Sequence, residues 1–143
     1  MCIRDSSYFN NEYIATGVPD DLLDWPIADL ELVAYLLAIR AWKHLWSGME
    51  ICFLTDNEAT RYLMQYGRTR LPRRLAIARA VVSEQVHGNF RISSDRISTS
   101  DNVMADSLSR LAQPGKADEF RQACINANVV PVRVPVQPEW FRF

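Results

Sequence analysis

The stretch Glu50-Ile51-Cys52-Phe53-Leu54-Thr55-Asp56-Asn57 constrains the fold most. Four apolar residues rich in β-formers end in a polar pair, and a helix-like segment follows. A run of this length reads as a buried strand, with Cys52 as a small core residue. A buried strand has few places for a carboxylate. One is its carboxyl end, where open α/β sheets bind ligands, and Asp56 stands there. The plainer reading of Asp56 and Asn57 is a turn, or a cap on the next helix.

The flanking segments build an α/β order. Tyr8-Phe9 and Tyr13-Ile14-Ala15-Thr16, followed by Gly17 and Pro19, predict one or two short strands. Pro19 to Pro26 is an acidic loop carrying Trp25. From Ile27 to Trp46 the residues Leu30, Val33, Ala34, Leu37, Ala41 and Leu45 form one apolar stripe, which predicts a long helix with Asp29 as its amino cap. Trp42 and Trp46 fall on it as core and rim aromatics. Asn57 to Tyr66 predicts a short helix closed by Gly67. Leu71 to His87 predicts a second long one, with Pro72 in its first turn, a stripe of Leu75, Ala78, Val82 and Val86, and a stop at Gly88-Asn89. Phe90 to Ser98 alternates in part as a strand. Asp101-Asn102 opens a short helix through Leu111, and Lys116 to Asn128 suggests another. Val129 to Phe143, with Pro131, Pro135 and Pro138, is expected to be an extended arm or linker, its Trp140-Phe141 docking on the body or on a neighbouring domain. The order strand, helix, strand, helix, helix, strand, helix implies α/β layers with a partly parallel sheet.

With 143 residues the chain suits one domain. Three widely spaced cysteines offer no disulfide framework or zinc spacing, so a reducing, intracellular compartment (cytoplasmic or nuclear) is expected. No run approaches a membrane span, and no membrane partner is expected. His44 and His87 have no Cys or His at ligand spacing and read as ordinary surface or packing residues. The net charge of −1 conceals an asymmetry: residues 1–39 hold seven acids and one base, whereas Ala59 to Ser83 holds six arginines and no acid. Arg61, Arg68, Arg70, Arg73, Arg74 and Arg79 read either as a grip on nucleic-acid phosphates or as a solvated helix face and loop.

Three carboxylates stand at element boundaries: Glu31, Asp56 and Asp106, 25 and 50 residues apart, so only the fold can bring them together. Each has a plain role to hand. Glu31 suits the first turn of its helix, Asp56 a turn, and Asp106 an i,i+4 ion pair with Arg110. If they converge, hard oxygen ligands suit Mg²⁺ or Mn²⁺, and a pair of such ions suits phosphodiester hydrolysis.

Leu30-Glu31-Leu32-Val33-Ala34, then Leu54-Thr55-Asp56-Asn57, then Asn102-Val103-Met104-Ala105-Asp106-Ser107-Leu108-Ser109-Arg110 resembles the ribonuclease H domain of retroelement reverse transcriptases. The last segment is the most specific, since the family closes with a strand followed by Asn-x-x-Ala-Asp-x-Leu-Ser-Arg. The resemblance covers about Tyr8 to Leu111. It implies a ribonuclease H-like mixed sheet flanked by helices and two-metal hydrolysis of the RNA strand of RNA–DNA hybrids. It further implies an upstream reverse transcriptase domain in the same polyprotein. Glu31, Asp56 and Asp106 match three of the family's four acidic ligands to a two-ion Mg²⁺ or Mn²⁺ site. Asp56 would bridge both ions, Glu31 would hold the ion nearer the leaving group, and Asp106 the other. Asn57, Arg68, Arg70, Arg73, Arg74 and Arg96 are the residues expected to meet nucleic acid.

Two departures accompany the match. The family's first acid lies on an opening strand that this chain lacks, and Arg96 stands where the family often has a histidine. Residues 1–6, Met-Cys-Ile-Arg-Asp-Ser, resemble translated adaptor sequence; they are expected to be neither strand nor helix and not native, with the true protein extending upstream. The organisation expected is therefore a leader at 1–6, an incomplete ribonuclease H-like domain at 7–112, and a helix with a Pro-rich tail at 113–143. Weak or absent activity follows from the missing ligand. The alternatives are a non-catalytic module of the same fold that binds nucleic acid or supports a neighbour, and an unrelated α/β protein whose acids are caps and ion pairs.

Overall fold

A computed structural model describes the backbone of residues 3–143 and the side chains from Ser7 onward. Met1 and Cys2 lie outside the described residues, as do the side chains of residues 3–6. The chain is mixed α/β, 51% helix and 17% strand. Strands β1 (Ile3–Phe9) and β2 (Glu12–Gly17) form an antiparallel hairpin. Its turn is Asn10-Asn11, with φ of 47° and 67°. Two left-handed residues match the twist of the flanking strands, and asparagine tolerates that region better than most residues. β1 therefore begins within the stretch expected to have no regular structure; backbone pairing with β2 overrides the weak strand propensity of residues 3–6.

Helix α1 (Ile27–Trp42) is the centre of the molecule. A single stripe is too narrow a description: Leu30, Leu32 to Ile39, Ala41 and Trp42 are all buried. The cause is packing on several sides. Phe9 meets Trp42 at 5.6 Å between ring centres, Tyr35 meets Phe53 at 4.7 Å, and Arg40 binds Glu84 at 2.8 Å. Leu45, read as part of the stripe, lies beyond the helix and is exposed. Trp46 folds back to 1% exposure against Phe9, Phe53 and Phe90, so both tryptophans belong to the core.

Strand β3 (Glu50–Thr55) pairs in parallel with β4 (Arg91–Arg96), in register from Glu50–Arg91 to Thr55–Arg96. Between them run α2 (Glu58–Tyr66) and α3 (Pro72–Gly88). Gly67 ends α2 at φ 64° and Asn89 ends α3 at φ 53°. The stripe read for α3 is displaced. Ile77, Ala78 and Val81 are buried, while Val82 and Val86 are 54% and 73% exposed. Alanines supply part of the true buried face, so residue size alone misplaces it.

After β4 come α4 (Val103–Ser109) and α5 (Lys116–Asn126), which close over the hairpin through Leu108, Phe120 and Cys124. The Pro-rich tail lies on the body. Its strand β5 (Val132–Arg133) adds in parallel to β2, and Arg40 Nη1 donates to the carbonyls of Trp140 and Arg142 at 2.5 and 2.6 Å. Among the described residues the strands make two sheets, β1-β2-β5 and β3-β4, with no ladder joining them. No helix among the described residues is long and apolar enough to cross a membrane.

Candidate functional site at the end of β3

Between the two sheets lies a groove of about 1300 Å³. Glu31, Asp56 and Asp106 all line it, brought there by α1, the end of β3 and α4. Asn57 organises this end. Its backbone N–H donates to Thr55 Oγ1 at 3.1 Å, and its Oδ1 accepts from the Thr60 N–H at 3.1 Å as the cap of α2. Its Nδ2 donates to Glu31 Oε2 at 2.6 Å. The capping role thus holds, and it leaves the Asn57 amide engaged at both ends inside the protein.

Burial raises the Glu31 carboxyl above the usual carboxylate range; the Asn57 hydrogen bond acts to lower it, and the Asp56 charge adds to the rise. Tyr35, behind these acids, is pushed up to about 12, mainly by burial. Thr99 Oγ1 donates to Asp56 Oδ2 at 3.4 Å. Two carboxylates therefore share a partly desolvated corner, a place a cation would relieve.

Asp106 behaves differently. Arg110 and Lys116 approach its two oxygens at 3.1 and 3.5 Å, so the i,i+4 pair is formed and a second cation joins it. Among the described residues no three His, Cys, Asp or Glu side chains gather closely enough to hold a metal ion. The acids as arranged do not fit a two-ion centre, because one of the three is already neutralised.

The arginines divide. Arg73 and Arg74, expected to meet phosphate, bind Asp29 at 3.2 and 2.5 Å, and Arg73 also lies 4.6 Å above the ring of Trp25. Asp29 is 3% exposed and caps nothing; a carboxylate that deep needs cationic partners, and these two supply them. Arg61 is taken by Glu58 at 2.5 Å. Arg68 and Arg70 stand exposed in the α2–α3 loop with no ion pair among the described residues. Arg96 is exposed at the end of β4, apart from the groove.

Sequence reasoning passed over Tyr62 and Tyr66. They lie four apart on the exposed face of α2, their rings 4.8 Å apart, next to Arg68 and Arg70. Their i,i+4 spacing was the available signal. Lys116, the second partner of Asp106, comes from across a loop and had none. Cys52 is exposed, contrary to the core role expected of it, because the face of β3 carrying it has no full cover.

The chain matches no protein-family model, no curated protein and no solved structure.

Proposed function

We propose that this chain is a ribonuclease H-like domain of the retroelement reverse transcriptase type, acting on RNA–DNA hybrids with an incomplete catalytic centre. One observation carries the reading: Glu31, Asp56 and Asp106, far apart in sequence, line one groove. The mixed α/β architecture is compatible with it. In this reading Arg68 and Arg70 meet the hybrid's phosphates, with Tyr62 and Tyr66 offering ring faces beside them. An upstream polymerase domain is the natural covalent neighbour. Mg²⁺ or Mn²⁺ chemistry would need Asp106 released from Arg110 and Lys116, together with a further ligand.

The pairing of Asp106 with two cations favours a second reading, a non-catalytic module of the same fold that binds nucleic acid or supports a neighbour. Two assays separate them. Hybrid binding is measured by fluorescence anisotropy against salt; preference for RNA–DNA over duplex DNA is expected, with the slope of log K against log salt reduced by about 0.7–0.9 for each of Arg68→Ala and Arg70→Ala. Cleavage is then followed with Mg²⁺ or Mn²⁺ in a longer chain supplying an upstream strand. Cleavage abolished by Asp56→Asn supports the nuclease. Binding without cleavage supports the module, and no preference for hybrid removes both.

A further inference from the structure

We infer that the outer face of α2 and the loop after it form a site for an unpaired nucleic-acid strand, with Tyr62 and Tyr66 stacking on its bases and Arg68 and Arg70 holding its phosphates. The inference rests on the nucleic-acid part of the proposed function and not on its catalytic part.

α2 is packed on one side only. Thr60 and Leu63 are buried, and another side carries Tyr62 and Tyr66, 47% and 56% exposed. Their rings lie 4.8 Å apart and are inclined at 51°. Each ring covers part of the other, and about half of each side chain stays open to solvent. Two adjacent rings are apolar surface that folding has not used, and open aromatic faces are what nucleic-acid bases stack on.

The loop supplies the charge. Gly67 closes α2 at φ 64°, its N–H donating to the Leu63 carbonyl at 2.7 Å, and the Leu71 N–H donates to Thr69 Oγ1 at 3.2 Å. Just beyond, Arg73 and Arg74 are tied to Asp29. The loop is thus held at both ends and in its middle. Arg68 and Arg70 are exposed while Thr69 between them is half-buried, the alternation of extended chain. Two residues of extended chain span about 7 Å, a step that suits successive phosphates of an extended strand. From Ala59 to Ser83 the sequence has no acid to oppose them, and Glu58, at the start of α2, is held by Arg61.

The rings decide between paired and unpaired partners. In a duplex every base face inside the stack is covered by its neighbours, so a surface tyrosine meets only phosphates and groove edges. An unpaired strand offers free base faces, and stacking on them tolerates any sequence because every base has a π face. Arginines alone would serve any polyanion. Arginines beside two open rings serve a polyanion that itself carries flat rings. Next to a hybrid, that is the single strand continuing past its paired end.

The test measures fluorescence anisotropy of the full 143-residue chain with two labelled probes, an oligothymidylate and an abasic oligomer of the same length and charge. The wild-type chain is expected to bind the thymidylate about tenfold or more tighter than the abasic probe. Tyr62→Ala with Tyr66→Ala should bring the two probes to equal affinity, whereas Tyr62→Phe with Tyr66→Phe should keep the difference. The ratio between probes is read within one protein sample, so a loss of folded chain weakens both alike and leaves the ratio intact. Arg68→Ala and Arg70→Ala should each lower the salt slope by about 0.7 for either probe. Equal binding of the two probes by the wild-type chain would overturn the inference and leave a plain polyanion surface. So would a preference for thymidylate that survives the alanine pair. The hybrid assay fails separately: hybrid preference with no difference between the two probes leaves the ribonuclease H-like reading standing and removes this one, and base-dependent binding without hybrid preference does the reverse.

Discussion

Replacing Asp29 with alanine tests how the arginines are divided. The carboxylate is 3% exposed and accepts from Arg74 Nε and Arg73 Nη1 at 2.5 and 3.2 Å. Hydrogen bonds to charged groups contribute about 1.5–3 kcal/mol each when buried. Breaking a fully buried pair costs about 3–5 kcal/mol because a charge is stranded. Here the stranded guanidinium groups have an exit: the side chains of Arg73 and Arg74 are 42% and 24% exposed. The Arg73 pair is accordingly worth about 0.5 kcal/mol and the Arg74 pair most of the rest, about 2–3 kcal/mol in all. Unfolding entropy of roughly 2.1 cal/mol/K per residue makes 1 kcal/mol about 3 °C for a chain of this size, so Asp29→Ala should lower Tm by about 6–10 °C. A double-mutant cycle of Asp29→Ala with Arg74→Ala should show coupling above about 1 kcal/mol, and the same cycle with Arg73→Ala about half of that or less. A Tm loss under about 2 °C, or no coupling to Arg74, would refute this account. The proposed nucleic-acid binding supplies an independent check. Arg73→Ala and Arg74→Ala should leave its salt slope unchanged, and a drop of about 0.7–0.9 per arginine would mean that both leave Asp29 to meet phosphate.

Glu31→Gln should change how stability depends on pH. Burial holds the Glu31 carboxyl above its ordinary value, so the folded chain keeps this proton to higher pH than the unfolded one. Stability should then fall as pH rises between the ordinary and the raised value, with the penalty absent below that window; urea midpoints across mild acid should lose this fall in the glutamine variant, and an unchanged profile would count against it. Thr60 is 1% exposed and its Oγ1 has no hydrogen-bond partner among the described residues. Thr60→Val keeps the shape and should raise stability by about 1 kcal/mol by chemical denaturation, whereas a loss would mean that the hydroxyl is satisfied. Arg40→Ala removes the donor to the Trp140 and Arg142 carbonyls. It should make the segment after Arg133 several-fold more susceptible to limited proteolysis, with no change expected if β5 alone holds the tail.

The sequence carried the local elements better than their surroundings. Turn and cap chemistry at Asn57, Gly67, Pro72 and Asn89 is local, and these positions stop or start helices where the residues indicate. Burial is not local. The stripe on α3 was drawn through Val82 and Val86, yet Ile77 and Val81 face the core, and nothing within the helix distinguishes the two sets. Asp29 reads as a cap from its position, but its role is set by Arg73 and Arg74, 44 and 45 residues on. The same limit governs the acids. Their sharing of one groove follows from the order of elements, while the capture of Asp106 by Lys116 depends on a loop conformation that no spacing encodes.

The mismatch at β3 is of another kind. Ile51 to Leu54 has the composition of a strand buried on both faces, but only Ile51, Phe53 and Thr55 turn toward α1, while Cys52 and Leu54 remain open. A misplaced stripe, as on α3, exchanges buried for exposed residues and leaves the amount of apolar surface unchanged. At β3 nothing is exchanged: apolar residues are written on both faces, and one face lacks its cover.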